Sequence, residues 1–139
     1  MAHLLDTSAL LAHYREEVGA EHVQALFDRE GEELLVASVS LPEFARRLRD
    51  LGASPDAARK VARQYRDAID AVVAVDSEVA EASFDLLCQL PSRLPLVDAL
   101  IAAAARSRHA CLVHRDAHMR AIPAALMPQL DLEKPGITH

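Results

Sequence analysis

Short apolar runs alternate along the chain with longer segments in which apolar residues recur every three or four positions. The short runs have the length of β-strands, and the longer segments have the periodicity of helices that bury one face. Strands are predicted at residues 2–5, 34–39, 72–75 and 111–113, with a fifth, edge strand at 130–132. Helices are predicted at residues 7–15, 19–30, 40–51, 55–69, 77–90 and 95–106, followed by a short helix before residue 123.

This alternation predicts an α/β fold. The strands are short and continuously apolar, which is typical of a parallel sheet covered by helices on both faces. In such sheets a ligand binds beyond the carboxyl ends of the strands, where the strand order reverses. Residues that directly follow strands are therefore the first candidates for a functional site.

Four acidic residues occupy such positions. Asp6 follows the first predicted strand, and Asp116 follows the fourth. Glu43 lies early in the helix after the second strand, and Asp98 lies early in the helix before the fourth. All four are expected near the amino ends of helices, on one rim of the sheet.

Each of these acids also has a purely structural explanation. Ser40 and Glu43 have the spacing of a capping box, in which Glu43 would accept from the backbone N–H of the cap residue. Asp98 would lie at the positive end of its helix dipole. Asp6 and Asp116 would serve as N-caps. Taken one at a time, the four acids do not establish a catalytic site.

Taken together, they indicate a cation site. Gathered carboxylates repel one another, and their pKa values rise. Divalent cations remove that repulsion, and oxygen ligands suit Mg²⁺ or Mn²⁺. A bound cation can activate water and stabilise charge on phosphorus, so an acidic pocket can serve an anionic substrate. Asp76 also follows a strand and precedes a helix, but it is assigned no catalytic role.

Composition predicts one domain at residues 1–132 and a C-terminal tail at 133–139. The net charge of −6 and the aromatic content of 4% argue against a generally basic surface or an aromatic stacking platform for nucleic acid. Cys88 and Cys111 are predicted to be buried core thiols, which fits a reducing compartment. With no signal peptide and no membrane-spanning segment expected, the chain is predicted to be cytoplasmic.

Arginines are the candidate contacts to substrate. Arg115 adjoins Asp116 and is predicted to touch a phosphate. The two central helices present either a solvated face or a groove for the phosphates of an anionic substrate. The apolar stripe of Leu41, Phe44 and Leu48 is interpreted as core rather than as a dimer contact. The arginines of these helices are Arg46, Arg47, Arg49, Arg59, Arg63 and Arg66.

Four segments of the sequence resemble the PIN domains, and within them the VapC-type toxins of bacterial toxin–antitoxin pairs. The segments are LLDTSALLA, SVSLPEFARRL, LPLVDALIAAAA and LVHRDAHM. They occur in the order and at the spacing typical of that family and cover nearly the whole chain. The segment beginning at Asp98 is the most specific of the four.

The resemblance implies a three-layer α/β/α domain whose mostly parallel sheet has the strand order 3-2-1-4-5. It implies hydrolysis of RNA phosphodiester bonds with Mg²⁺ or Mn²⁺. Carried over by position, the metal-binding and catalytic acids are Asp6, Glu43, Asp98 and Asp116. Ser8 matches the polar residue after the first acid and is expected to bind a metal-linked water or a phosphate.

The resemblance also implies partners: a VapB-type antitoxin and a second copy of the chain in a homodimer. Two positions depart from the family pattern. Many relatives have Thr or Ser in place of His114 and a further acid in place of His118. The missing acid leaves open whether a second cation binds, and His118 is either a ligand or donor in the site or a surface histidine without a role.

Two alternatives remain at this stage. One keeps the nuclease but assigns it to RNA processing without a toxin role. The other is a non-catalytic regulatory module of doubly wound type, such as a phospho-accepting receiver. A receiver normally needs a lysine late in the chain after a strand, and the only lysines here, Lys60 and Lys134, do not fit that position.

Overall fold

A computed structural model describes residues 1–134 of the chain. Most of the predicted tail, residues 135–139, lies outside the described residues. A five-stranded sheet has the order β3-β2-β1-β4-β5, and all four strand pairs are parallel. The alternation of strands and helices predicted a parallel sheet, and the resemblance to the PIN domains implied this strand order. The strands are β1 (Ala2–Leu5), β2 (Glu33–Ala37), β3 (Ala71–Val73), β4 (Cys111–His114) and β5 (Gln129–Asp131).

Helices connect the strands and cover both faces of the sheet. They are α1 (Thr7–Tyr14), α2 (Ala20–Asp28), α3 (Ser40–Asp50), α4 (Pro55–Ala68), α5 (Ser77–Gln89), α6 (Leu96–Ser107) and α7 (Ala117–Arg120). Ser54 caps α4 by accepting from the Ala57 N–H, with Pro55 in the first turn. Asp76 caps α5 in the same way through Val79 N–H. Within the described part of the chain, no helix is long and apolar enough to cross a membrane.

Two hydrophobic cores lie on opposite faces of the sheet. Successive strand residues point to opposite faces, so Leu4 belongs to one core and Leu5 to the other. The core with Leu4 includes α5 and α6, and the core with Leu5 includes α1 to α4. Most of the buried residues of helix α6 are alanines. These are Ala99, Ala102, Ala103, Ala104 and Ala105.

The strand order reverses between β1 and β4. From β1 the chain builds outward through β2 to β3, and β4 then returns to the other side of β1. The connection after β1 leads to one side of the sheet, and the connection after β4 leads to the other side. This divergence opens a crevice at the carboxyl ends of β1 and β4. Asp6 and Asp116 follow those two strands, whereas Asp76 follows the edge strand β3.

Two sequence-based expectations about local structure are wrong. Helix α3 begins at Ser40, as predicted, but Val39 has helical dihedral angles and is the N-cap. Ser40 therefore makes no side-chain cap, and the predicted capping box does not form. Cys88 is exposed rather than buried. It follows the exposed Phe84 by one helical turn on α5, so an apolar side chain at this spacing marks the outer face of the helix rather than the core.

Candidate active site

The four predicted acids line one cavity of about 450 Å³ at the carboxyl edge of the sheet. Asp6 is the N-cap of α1, and Asp116 is the N-cap of α7. Glu43 and Asp98 lie in the first turns of α3 and α6. The structural explanation of Asp6 and Asp116 as caps is therefore correct, and it coexists with their convergence on the cavity.

Asp6 is the most deeply buried of these acids, with 2% of its surface exposed. Its Oδ2 accepts from the Ser8 backbone N–H at 3.1 Å and from the Ser8 hydroxyl at 2.5 Å. Its Oδ1 is buried and has no hydrogen-bond partner among residues 1–134. Burial raises the pKa of Asp6 to about 7; the two bonds from Ser8 oppose this rise, and the charges of Asp98 and Asp116 add to it.

The pKa of Asp98 is also raised, by less than that of Asp6. Burial raises its pKa to about 6, and the neighbouring charges of Asp116 and Glu43 contribute further. Desolvation and like-charge repulsion both favour the protonated carboxyl, so the cluster binds protons where isolated carboxylates would not. A cation placed among these groups would relieve both penalties.

Glu43 is oriented across the cavity by Thr7, whose hydroxyl donates to Glu43 Oε1. This bond joins the start of α1 to the first turn of α3. It takes the place of the capping-box bond that the spacing of Ser40 and Glu43 suggested. The contact joins residues 36 positions apart, so no local sequence pattern could have indicated it.

A hydrogen bond between Ser8 and Arg115 joins the start of α1 to the loop that follows β4. The Ser8 Oγ donates to Asp6 and accepts from the Arg115 backbone N–H at 2.9 Å. The Arg115 side chain lies between two glutamates at the rim of the cavity: its Nε is 2.6 Å from Glu133 Oε1, and its Nη1 is 3.5 Å from Glu17 Oε1. Both expected substrate contacts, Ser8 and Arg115, therefore line the cavity.

Sequence reasoning missed Glu17 and Glu133, which also line the cavity. Glu133 comes two residues after the end of β5, so the rule that favours residues after strands would have found it. Glu17 lies in the turn after α1 and carried no comparable signal.

The predicted arginines divide between two surfaces. Arg46 and Arg47 line the acidic cavity. Arg46 also borders a groove of about 460 Å³ between α3 and α4, together with Arg49, Arg59, Arg63 and Arg66. Phe44 and Leu48 are buried, which confirms that these two residues of the apolar stripe belong to the core. Leu41 is half-buried and lines the groove.

The two histidines that depart from the family pattern have different surroundings. His114 is fully buried, and burial lowers its pKa. Its Nδ1 accepts from the Asp116 N–H at 3.2 Å, so its Nε2 carries the proton and donates to Gln129 Oε1 at 2.8 Å. His118 is exposed, with Nδ1 3.3 Å from Asp116 Oδ1 and 3.8 Å from Asp98 Oδ2.

The residues present fit a divalent cation. Asp6 has a buried oxygen that lacks a protein partner within residues 1–134, and it lines a cavity together with five further carboxylates. Oxygen donors of this type suit Mg²⁺ or Mn²⁺. Asp98, Asp116 and His118 additionally offer ligand atoms that all lie within 4.8 Å of one another.

Solved structures with the same fold include several toxin–antitoxin proteins. VapBC-1 from nontypeable Haemophilus influenzae is 15% identical with a TM-score of 0.73, over 96% of this chain and 100% of that one. DNA-bound VapBC from Salmonella typhimurium is 18% identical with a TM-score of 0.71, over 95% and 99%. Mycobacterium tuberculosis VapC20, described as a toxin that cleaves the sarcin–ricin loop, is 17% identical with a TM-score of 0.68, over 87% and 94%.

At these identities the likeness establishes the fold. No curated protein sequence matches the chain. The family model of the PIN domain matches residues 3–125, which include all four acids and nearly the whole described structure. With the strand order and the acidic cavity described above, this match shows that the chain belongs to the PIN-domain family.

Proposed function

We propose that the chain is a divalent-cation-dependent endoribonuclease. The observation that carries this proposal is the convergence of Asp6, Glu43, Asp98 and Asp116 on one cavity, with Asp6 buried and one of its oxygens unpartnered among residues 1–134. Such an arrangement lowers the stability of the fold, because each desolvated carboxylate must be protonated or neutralised. A purely structural role therefore does not explain it. Its use is to hold cations against a phosphate.

The chain's own residues have distinct tasks in this reaction. The four carboxylates would hold the cation, with Ser8 fixing the orientation of Asp6 and Thr7 that of Glu43. The chemistry that the cation supplies when bound is neutralisation of phosphate charge and activation of a water nucleophile. The backbone of an anionic substrate would be held beside these acids by the arginines that line the cavity, Arg46, Arg47 and Arg115.

RNA cleavage by purified protein tests the residue assignment. Asp6→Asn and Asp98→Asn each keep the size of the side chain and remove its charge, so we expect cleavage of a fluorescent RNA with Mg²⁺ or Mn²⁺ to fall at least about a hundredfold, as for loss of a group acting only in the transition state. EDTA is expected to abolish wild-type cleavage.

Asp76→Asn is the matched control, because Asp76 also follows a strand and caps a helix but does not line the cavity. Asn is an equally good N-cap, so this variant is expected to fold and cleave like the wild type. Wild-type cleavage by both Asp6→Asn and Asp98→Asn would contradict the assignment.

We infer further that the nuclease acts in the cytoplasm as the toxin of a toxin–antitoxin pair. The support is the fold shared with VapBC-1 from Haemophilus influenzae and with a chain of a toxin–antitoxin complex from Klebsiella pneumoniae. A VapB-type antitoxin is the expected partner, and a homodimer is the expected assembly of the chain itself.

Induced expression tests the toxin role. Growth is expected to stop when the wild type is expressed alone, and to continue when Asp98→Asn is expressed to the same level. Co-expression of the antitoxin encoded nearby is expected to restore growth. Normal growth in cells that contain active nuclease would contradict the toxin role and favour RNA processing.

A further inference from the structure

We propose that the groove between α3 and α4 binds the phosphates of an RNA chain beyond the nucleotide that is cleaved, so that a long RNA is held at two places and a short oligonucleotide at one. The proposal rests on the proposed function, because it assigns the groove to the same substrate. It concerns a surface that the four acids do not form.

The groove concentrates positive charge in a chain that is acidic overall. Residues 40–68, which form α3, α4 and their connection, contain seven basic and four acidic residues, a net charge of +3, whereas the whole chain carries −6. Among the described residues that line the groove there is no acid. Its five arginines are Arg46, Arg49, Arg59, Arg63 and Arg66. Such a surface attracts an extended anion.

Little in the protein competes for these guanidinium groups. All five arginines are exposed. Arg46, Arg49 and Arg63 form no ion pair within residues 1–134. The other two pair only with exposed acids of α4, at 3.1 Å and 3.2 Å. Exposed pairs of this kind contribute little to stability, so a phosphate can replace them.

The groove is continuous with the acidic cavity, because Arg46 lines both. From there the arginines continue along α4, where Arg59, Arg63 and Arg66 have the spacing of one helical face. At 1.5 Å per residue this row is about 10 Å long, and a stacked strand rises about 3.4 Å per nucleotide. The row therefore matches about three nucleotides of a chain that leaves the cavity past Arg46.

The floor of the groove is apolar but not aromatic. Ala58 and Ala62 are buried where α4 packs against α3, and no aromatic side chain is among the described residues that line the groove. Aliphatic groups contact riboses and bases without the stacking that aromatic rings provide. Binding would therefore depend on phosphate contacts, which carry no sequence information and weaken steeply with salt.

An acidic protein segment is the other class of ligand that a row of arginines attracts. The continuity of the groove with the cavity favours RNA. A substrate whose phosphate lies among the acids has to leave the cavity, and Arg46 lies where the cavity meets the groove.

RNA binding by the purified full chain tests the proposal. The probe is a fluorescent single-stranded RNA of about 16 nucleotides, at the upper end of the site sizes of single-strand-binding grooves, with EDTA present to prevent cleavage. In the α4 variant, Arg59→Gln, Arg63→Gln and Arg66→Gln are combined. We expect its affinity at about 0.1 M salt to fall at least tenfold, and the slope of log affinity against log salt to fall by about 2.

Cleavage kinetics with Mg²⁺ or Mn²⁺ separate this role from a structural one. For the long RNA, the α4 variant is expected to show a KM at least about tenfold higher with an unchanged kcat, because the groove binds substrate and transition state equally. For an RNA of about four nucleotides, too short to reach α4, both constants are expected to stay at the wild-type values. Glutamine forms helices about as well as arginine, so the fold is expected to be retained.

The matched control removes the same charge elsewhere, with Arg29→Gln, Arg106→Gln and Arg108→Gln combined. These arginines precede β2 and β4, at the edge of the sheet opposite to the cavity, and they line neither the cavity nor the groove. This control is expected to keep the salt slope and the KM of the wild type for the long RNA.

Equal affinity and salt slope in the wild type and the α4 variant would overturn the proposal and leave an acidic protein segment as the ligand of the groove. Equal losses in the α4 variant and the control would also overturn it, since net charge alone would then explain them. The binding readout does not depend on cleavage. A chain that binds the long RNA through α4 but cuts no RNA would contradict the proposed function and leave the role of this groove standing.

Discussion

At the scale of the residue, Asp6 serves two purposes that conflict. It caps α1, and its burial beside Asp98 and Asp116 makes its charged form unfavourable. Burial raises its pKa from 3.8 to about 7. Its contribution to stability is therefore fully present below about pH 4 and is lost as the pH rises through 7. Asp98, whose pKa is raised to about 6, acts in the same direction.

The metal-free protein is accordingly expected to lose stability between about pH 4 and pH 7, and so to be less stable at pH 8 than at pH 5. Asp6→Asn removes the largest contribution to this loss, so at pH 8 in EDTA the variant should exceed the wild type by about 2–4 kcal/mol in free energy of unfolding. Urea unfolding at both pH values measures the difference. Asp76→Asn should keep the wild-type pH dependence, and an unchanged dependence in Asp6→Asn would refute the explanation.

At the scale of the element, the two serines near the starts of α3 and α4 show how a motif and its surroundings interact. Ser54 caps α4 as its sequence predicts. Ser40 lies one position inside α3, fully buried, and its hydroxyl has no partner in the described part of the chain. The difference arises because Val39 already adopts helical angles, so the serine follows the cap position instead of occupying it.

Alanine substitutions should separate these two serines. Ser54→Ala is expected to cost about 1 kcal/mol, the usual effect of losing an N-cap. Ser40→Ala is expected to change stability by less than about 0.5 kcal/mol or to raise it, because it removes a buried hydroxyl without a bonding partner. Chemical denaturation of both variants measures the contrast. An equal loss in the two would mean that Ser40 caps α3 after all.

Most elements could be predicted from periodicity and from cap residues, because these signals are local. The same signals failed where tertiary packing decides. Glu43 is held by Thr7 from another helix, and the exposed Cys88 sits on the solvent face of α5 although its neighbours are apolar. The position of Asp6 and Asp116 after strands indicated their convergence, whereas the strand order itself came from the resemblance to a family.

At the scale of the whole molecule, the turn before α2 packs against the far end of the chain. Gly19 has a φ of +93°, and a Cβ added there would lie 2.5 Å from the Cβ of Leu132, directly after β5. Gly31 also has a positive φ, of +83°, but a Cβ at that position would meet nothing within 4 Å. The turn before α2 and the segment after β5 therefore pack together only because residue 19 has no side chain.

Gly19→Ala is expected to destabilise the protein by about 2–4 kcal/mol, because it adds overpacking to the strain of a left-handed conformation. Gly31→Ala carries the strain alone and should cost about 1–2 kcal/mol. Thermal or urea unfolding of the two variants gives the comparison. Equal losses would show that the contact with Leu132 contributes nothing.

The place of β4 in the sheet has a consequence during synthesis. This strand lies between β1 and β5, and Asp116, the last of the four acids, follows it. A nascent chain whose first hundred residues have left the ribosome carries Asp6, Glu43 and Asp98 but lacks β4, the strand that pairs with β1 on the side away from β2. The cavity is then missing one wall and one of its four proposed metal-binding acids, so an unfinished polypeptide cannot assemble the proposed cation site.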